Sequence, residues 1–427
     1  MTFAPWPQHQ GPAPAARLHR ADAWDWLAFG MAVFIILVHS QGWVMPLVGE
    51  KFDAASSSLV RNAYLPAYGA GIVLLAMTLG ESIKGILRQP FLVLIMAVVA
   101  ASMLWSLSPD ATLRRIIALY ATTLAGVVIA CRYKWSTLAE VIATAFAIMA
   151  VACLVAAVAV PSIGKMQTLF PGAWRGVWLE KNALGGNMAM GFALLAGAAF
   201  LNPRRAWLWG GFAALALGLV LMSTSKTSLV SLVLGAGALG FVWLIRRGPA
   251  SATMATWAAV FGALLLAGFL LVAADVFLGL LGKDATLTGR TKIWAAVIRQ
   301  IELRPWTGYG YAAVWDDKTG WGPLAWITKD AGFKAGHAHN AWLEQWLGMG
   351  YVGLAAWGLF FLQTVGAAIL SAFRSKGAYL ALPFLVIYSL TTLTESFAVT
   401  YNDMRWVIFV ALAVKLAMPD REQEPRG

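Results

Sequence analysis

The chain is predicted to be all-α: a polytopic integral membrane protein of about 12 transmembrane helices with one long external loop carrying short helices. Three observations carry this. Hydrophobic residues make up 60% of the 427 and charged residues only 12%, against about 25% charged in soluble domains. Mean hydropathy is +0.70. Apolar runs long enough to cross a bilayer, which takes roughly 17–25 residues, recur along almost the whole length. Too few charges remain to cover a globular surface, so lipid must be the solvent.

In order, residues 1–22 hold Pro, Gln and Arg without an apolar centre and form a tail. The first run, 24–46, exceeds a signal-peptide core and follows Arg17 and Arg20, so a retained span is expected, not a cleaved leader. The further runs are 63–80, 90–107, 113–131, 137–160, 183–201, 206–222, 227–245, 254–281, 341–372, 378–394 and 402–418. The nearly continuous stretch 206–245 is split at Ser223-Thr224-Ser225-Lys226, polar enough for a tight exposed turn. Domain organisation follows: a cytoplasmic tail to 22, spans one to nine in 23–281, an external loop at 282–340, spans ten to twelve in 341–418, and a second cytoplasmic tail at 419–427.

Orientation follows the bias of Lys and Arg toward the cytoplasmic side. With a cytoplasmic N-terminus, the inside segments hold 15 basic residues and the short outside loops 9. Both termini are then cytoplasmic and the long loop external. That loop carries eight more basic residues, Lys283, Arg290, Lys292, Arg299, Arg304, Lys318, Lys329 and Lys334. It has no evident hydrophobic core of its own, which marks a functional or unstructured loop. Seven of the 21 tryptophans fall between Trp294 and Trp346, which favours order.

A net charge of +12 on a membrane protein points to anionic head groups or a phosphorylated ligand, and not to nucleic acid. Cys131 and Cys153 lie in apolar stretches and form no framework or CxxC. No zinc-protease, phosphate-loop, serine-hydrolase or EF-hand motif occurs. His337 and His339 are two apart, but no Cys or clustered carboxylate completes a metal site around them, so no metal or other cofactor is expected.

What remains is a set of basic and polar groups at the outer membrane boundary: Arg114-Arg115, Arg175 with Lys181-Asn182, Lys226 among Ser and Thr, Thr288 to Trp294 around Arg290, Arg304 to Tyr311, and His337-Ala338-His339-Asn340. One Arg or Lys beside a span is commonly a head-group anchor, and one boundary Trp a member of the aromatic belt. Six basic-polar clusters on one face need a ligand, because cations on that side are costly without one. Arg grips pyrophosphate oxygens through a bidentate fork and Lys as a point charge. A His near neutral pKa suits removal of a hydroxyl proton. Enough Arg and Lys can stabilise a departing pyrophosphate without metal. Glu180, Glu344, Glu395 and Asp403 are expected to balance nearby cations rather than act as bases.

These motifs, in this order, resemble the bacterial O-antigen ligase and Wzy-type polysaccharide polymerase superfamily, in the ExoQ-like exopolysaccharide branch. The stretches involved are Trp105 to Arg115, Arg175-Gly176 with Lys181 to Gly185, Ser223 to Thr227, Thr288 to Trp294, Arg304 to Tyr311, and His339-Asn340, spread over roughly 100–420. The resemblance implies a GT-C-like, metal-independent, inverting glycosyltransferase on the periplasmic face of the bacterial inner membrane. Its donor would be a glycan on undecaprenyl pyrophosphate, and its acceptor another lipid-linked glycan (polymerase) or lipid A-core (ligase). Membrane lipids are its surroundings. It further implies that His339 is the base, with Arg290 and Lys226 on the pyrophosphate. Arg175, Lys181 and Arg114 are added as pyrophosphate-binding, and His337 and Asn340 as supporting residues. Glu180 stands where relatives often place a His, so any role of that His does not transfer. Polymerase is favoured over ligase by the motif wording. A lipid-linked oligosaccharide transporter and an export-complex scaffold are the alternatives of other classes. The nearly charge-free spans and one-sided polar groups argue against the transporter.

Overall fold

The computed structural model describes residues 23–49, 54–168, 170–280, 289–317, 319–418 and 420. The expectations for both tails (Asp420 apart), Lys51, residues 282–288 with Lys283, Asp284 and Thr288, and Lys318 lie outside the described residues.

The architecture is all-α. The helices are α1 Ala23–His39, α2 Val44–Val48, α3 Ala54–Asn62, α4 Leu65–Leu87, α5 Pro90–Ala101, α6 Pro109–Arg132, α7 Trp135–Ala159, α8 Pro161–Gly164, α9 Lys181–Leu201, α10 Ala206–Met222, α11 Lys226–Ile245, α12 Pro249–Leu280, α13 Arg290–Leu303, α14 Pro323–Ala331, α15 Ala341–Arg374, α16 Ala378–Thr394 and α17 Met404–Ala417. Pro occupies the first turn of α5, α6 and α14, where its missing N–H costs nothing. Asn340 caps α15 by accepting from Trp342 and Leu343 N–H, and Asp403 caps α17 by accepting from Arg405 N–H.

Each of the twelve apolar runs coincides with a helix. By length and composition, seven segments among the described residues can cross a membrane: Ser57–Leu87, Pro109–Arg132, Trp135–Ala159, Lys181–Leu201, Pro203–Met222, Lys226–Ile245 and Ala341–Arg374. The chain is thus an integral membrane protein.

The bundle centres on α9, which packs against α7, α10, α11 and α16, while α6 lies between α4 and α17. Backbones approach closely where side chains are absent: a Cβ at Gly197 would stand 2.3 Å from the carbonyl oxygen of Tyr379, the small-residue contact expected of membrane helices. Trp357 and Phe360 of α15, Phe384 and Tyr388 of α16, and Trp406 and Phe409 of α17 are fully buried in one aromatic cluster. This fixes the three helices whose ends carry the residues described below.

The segment expected to be external departs from expectation. It has a core of its own, built from Ile293, Ala296, Val297 and Ile301 of α13, Ile327 and Ala331 of α14, Tyr309, Val314, Ala335 and Ala338, closed by Leu347 of α15. The sequence pattern is that of an amphipathic helix too short and too basic to stand out among membrane spans: apolar residues at 293, 296, 297 and 301 share one face. The segment is docked by Leu107 N–H to the Tyr309 carbonyl, and by Gly310 N–H to the Gly348 carbonyl. Gly350 breaks α15 at φ +64°, and a Cβ there would lie 2.1 Å from the Trp306 carbonyl carbon. Only Gly admits both that φ and that approach.

The turn at Ser223–Lys226 is present, but it is only half exposed. Ser223 and Ser225 are buried, Ser223 donating to the Val220 carbonyl, because this turn packs on Gly185 of α9.

Candidate active site

The tripeptide His337-Ala338-His339 is held from both sides at its central residue. Ala338 N–H donates to Glu344 Oε1 at 2.6 Å, and its carbonyl accepts from Trp294 Nε1 at 2.9 Å. Ala338 is completely buried. The two flanking rings then fall on one side, with centroids 3.8 Å apart. His339 sits at φ +51°, a left-handed conformation uncommon outside Gly and one that clusters at functional positions. Asn340 is spent as the cap of α15 and so fixes where the His pair ends.

Glu395, the first residue beyond α16, completes the group. Its Oε2 lies 3.1 Å from His339 Nδ1, and its Oε1 accepts from Arg290 at 2.7 Å. Burial pushes the Glu395 carboxyl up, but the His339 hydrogen bond and the Arg290 charge prevail and hold it below the usual carboxylate range. An ionised carboxylate only accepts, so His339 Nδ1 bears the hydrogen and Nε2 carries the lone pair. The His337 ring has the opposite tautomer. Its Nδ1 accepts His339 N–H at 3.2 Å, which puts the hydrogen on Nε2. Burial, with the neighbouring His339, lowers the His337 pKa to about 4. His339 is therefore equipped as a base, and His337 as a neutral donor.

Two expectations are corrected here. A carboxylate does complete a cluster at the His pair: His337, His339 and Glu395 offer ligand atoms within 4.8 Å of one another. Both Glu395 oxygens and both Nδ1 atoms are, however, already engaged by Arg290, His339 and backbone N–H. Glu395 was expected only to balance charge. It does pair with Arg290, as Asp403 pairs with Arg405. Among the described residues Glu344 pairs with no Lys or Arg; it accepts from Ala338 N–H, Trp315 Nε1 and Ser396 Oγ, all neutral donors. A lone acid at the end of an apolar run, inside Thr394-Glu395-Ser396, was the available signal for Glu395.

The other basic residues form a second group. Lys181 opens α9, donates to Thr224 Oγ1 at 3.3 Å, and lies 3.9 Å from the Phe170 ring centroid. Lys226 opens α11 and is exposed. Gly235 of α11 meets Ile387 of α16. Lys226 precedes Gly235 by two and a half turns and Glu395 follows Ile387 by just over two; at about 1.5 Å per residue the two stand at nearly the same depth on neighbouring helices. Arg175 is buried and donates to the carbonyls of Ile163 and Ser162. Arg114 is exposed in the second turn of α6, while its neighbour Arg115 donates to the Ala312 carbonyl and pairs with Asp316.

An all-α integral membrane protein with a His–Glu–Arg chain at one end of its bundle is the class so defined. Within it, residues 211–358 match the family model described as O-Antigen ligase. Exopolysaccharide production protein ExoQ of Rhizobium meliloti (strain 1021) is 33% identical over 186 residues, covering 42% of this chain and 43% of that protein. The match thus spans less than half of the relative's length. Over these stretches the chain resembles the O-antigen ligase/Wzy superfamily in its ExoQ-like form, as its motifs suggested.

Proposed function

We propose that the protein is a metal-independent, inverting glycosyltransferase of the bacterial inner membrane, acting as a polysaccharide repeat-unit polymerase. Its family supports glycosyl transfer, and the observation that carries the mechanism is the chain Arg290–Glu395–His339. On this reading the twelve apolar runs all span, both termini are cytoplasmic, and the site faces the periplasm. The donor is a glycan on undecaprenyl pyrophosphate, and the acceptor a second lipid-linked glycan.

The acceptor hydroxyl loses its proton to His339 Nε2 as its oxygen attacks the anomeric carbon. The bond from that carbon to the phosphate oxygen breaks, the electron pair stays on oxygen, and undecaprenyl pyrophosphate leaves. Glu395 fixes the tautomer and stabilises the imidazolium, as a buried carboxylate does for other catalytic histidines. Arg290, Lys226 and Lys181 take up the charge of the leaving group. Arg114 stands at the membrane edge where the lipid phosphate arrives. Arg175 shapes the loop before α9 through the carbonyls it holds. The His337 donor and the Asn340 cap keep the base in place.

Ligation of the glycan to lipid A-core is the second reading, favoured by the description of the matching family model. Purified protein is given the lipid-linked repeat unit, with chelator present, once alone and once with lipid A-core. Longer lipid-linked chains from donor alone, absent in His339→Ala, support polymerisation; product only with lipid A-core supports ligation. Turnover in neither case, with the donor still bound, would sink glycosyl transfer and favour transport.

A further inference from the structure

A half-open cavity of about 380 Å³ lies beside the His pair. Its walls include Arg115, Trp315, His337, Glu344, Gln345 and Tyr401. They come from α6, the 311–315 turn, the 336–337 segment, α15 and the 396–401 turn, and none from α9 or α11, where Lys181 and Lys226 begin.

We infer that this cavity is a binding site for a neutral sugar ring, the acceptor end of the glycan. The assignment rests on the glycosyltransferase reading for the word acceptor, but not for the site. The volume is in the range of small-ligand sites, and the lining suits a polyol. Trp315 and Tyr401 give aromatic surface, while Glu344 and Gln345 add polar groups held in fixed positions: Trp315 Nε1 donates to Glu344 Oε2 at 2.7 Å, and Gln345 Nε2 to the Ala398 carbonyl at 2.9 Å. The lining does not suit pyrophosphate. Arg115 is the one Lys or Arg on its walls, and Glu344 offsets it with an acid. The donor phosphates therefore belong with Arg290, Lys181 and Lys226, and the uncharged partner belongs here. His337 is the shared wall. Its Nε2–H donates toward a sugar oxygen, and its ring lies against His339.

Gly336 lines the cavity, and a Cβ there meets nothing within 4 Å. Gly336→Phe adds bulk at the cavity wall, and Gly336→Ala is its control. The probe is the oligosaccharide released by mild acid from the producing cell's own lipid-linked intermediates, read by saturation-transfer NMR on full-length protein in detergent. Expected is binding to the wild type and to Gly336→Ala, and its loss in Gly336→Phe with unchanged thermal unfolding. In turnover, Gly336→Phe raises acceptor KM roughly tenfold or more while donor KM holds, the mark of lost ground-state binding. Should Gly336→Phe unfold, Thr400→Leu on another wall takes its place. Absence of binding to the wild type, undiminished binding to the filled variant, or a rise in donor KM alone overturns the site. Cavity-dependent binding without any transfer leaves the site standing and removes the glycosyltransferase reading instead.

Discussion

Arg290 and Glu395 are 105 residues apart in the chain, yet the Arg290 guanidinium donates to Glu395 Oε1 at 2.7 Å. The other oxygen of the same carboxylate meets His339 Nδ1. One acid thereby joins a cation suited to a leaving phosphate to a ring suited to a proton. Each end can be tested separately.

Glu395→Gln keeps the shape but removes the charge that fixes the His339 tautomer. kcat is expected to fall roughly 10²-fold or more, with a much smaller change in donor KM. Glu395→Asp should recover part of it. A variant within twofold of wild type at every pH would remove Glu395 from the mechanism.

His339→Ala and Arg290→Ala are expected to abolish product while the protein still accumulates in the membrane. His337→Ala should retain weak turnover, since its ring donates instead of accepting. Near-normal polymer from His339→Ala, measured by gel analysis of the glycan, would remove His339 as the base.

Acid should loosen the site. The His337 pKa is lowered from 6.5 to about 4, so across roughly pH 4–6.5 the unfolded chain binds the extra proton and stability falls as pH falls. Glu395, held below its ordinary value, adds stability above its unfolded pKa that is lost as pH falls through the folded one. Both act in the same direction. Thermal unfolding between pH 7 and 4 should show this slope, and His337→Gln should flatten its upper part. An unchanged slope in that variant would contradict the assignment.

Gly350→Ala combines a φ of +64° with a Cβ 2.1 Å from the Trp306 backbone. The cost is about 1–3 kcal/mol from the dihedral alone, with the clash added. A lowered Tm, together with faster proteolysis of the external segment, is the expected pair of observations.

Chelator should leave turnover unchanged, because the Glu395 oxygens and the paired Nδ1 atoms already have partners. Loss of activity in chelator that returns with one divalent cation would make His337, His339 and Glu395 a metal site.

The membrane class was readable because a bilayer imposes a length and a polarity that composition alone reveals, and every apolar run is helical. His337 and His339 stood out as candidates because a polar pair just before an apolar run has few structural uses. Glu395 was not, since a single acid after an apolar run looks the same whether it faces solvent or a histidine 56 residues earlier. The core of the external segment was hidden too. It borrows Leu347 from α15, and no window confined to 282–340 contains that residue. Arg175 and Lys226 looked alike as outer cations; burial against the Ile163 and Ser162 carbonyls separates them.

That borrowed leucine sets an order of biogenesis. Residues 289–338 leave the ribosome before Leu347, and their core closes only once the start of α15 has been made and has taken its place. The Arg290–Glu395 bond waits longer, until α16 is also inserted. A nascent chain therefore passes through the translocon with His339 and Arg290 still lacking their Glu395 partner. Ribosome-stalled intermediates ending before residue 395 should be well inserted and, on the proposed function, catalytically silent, so that lipid-linked sugar would be spared from half-made protein.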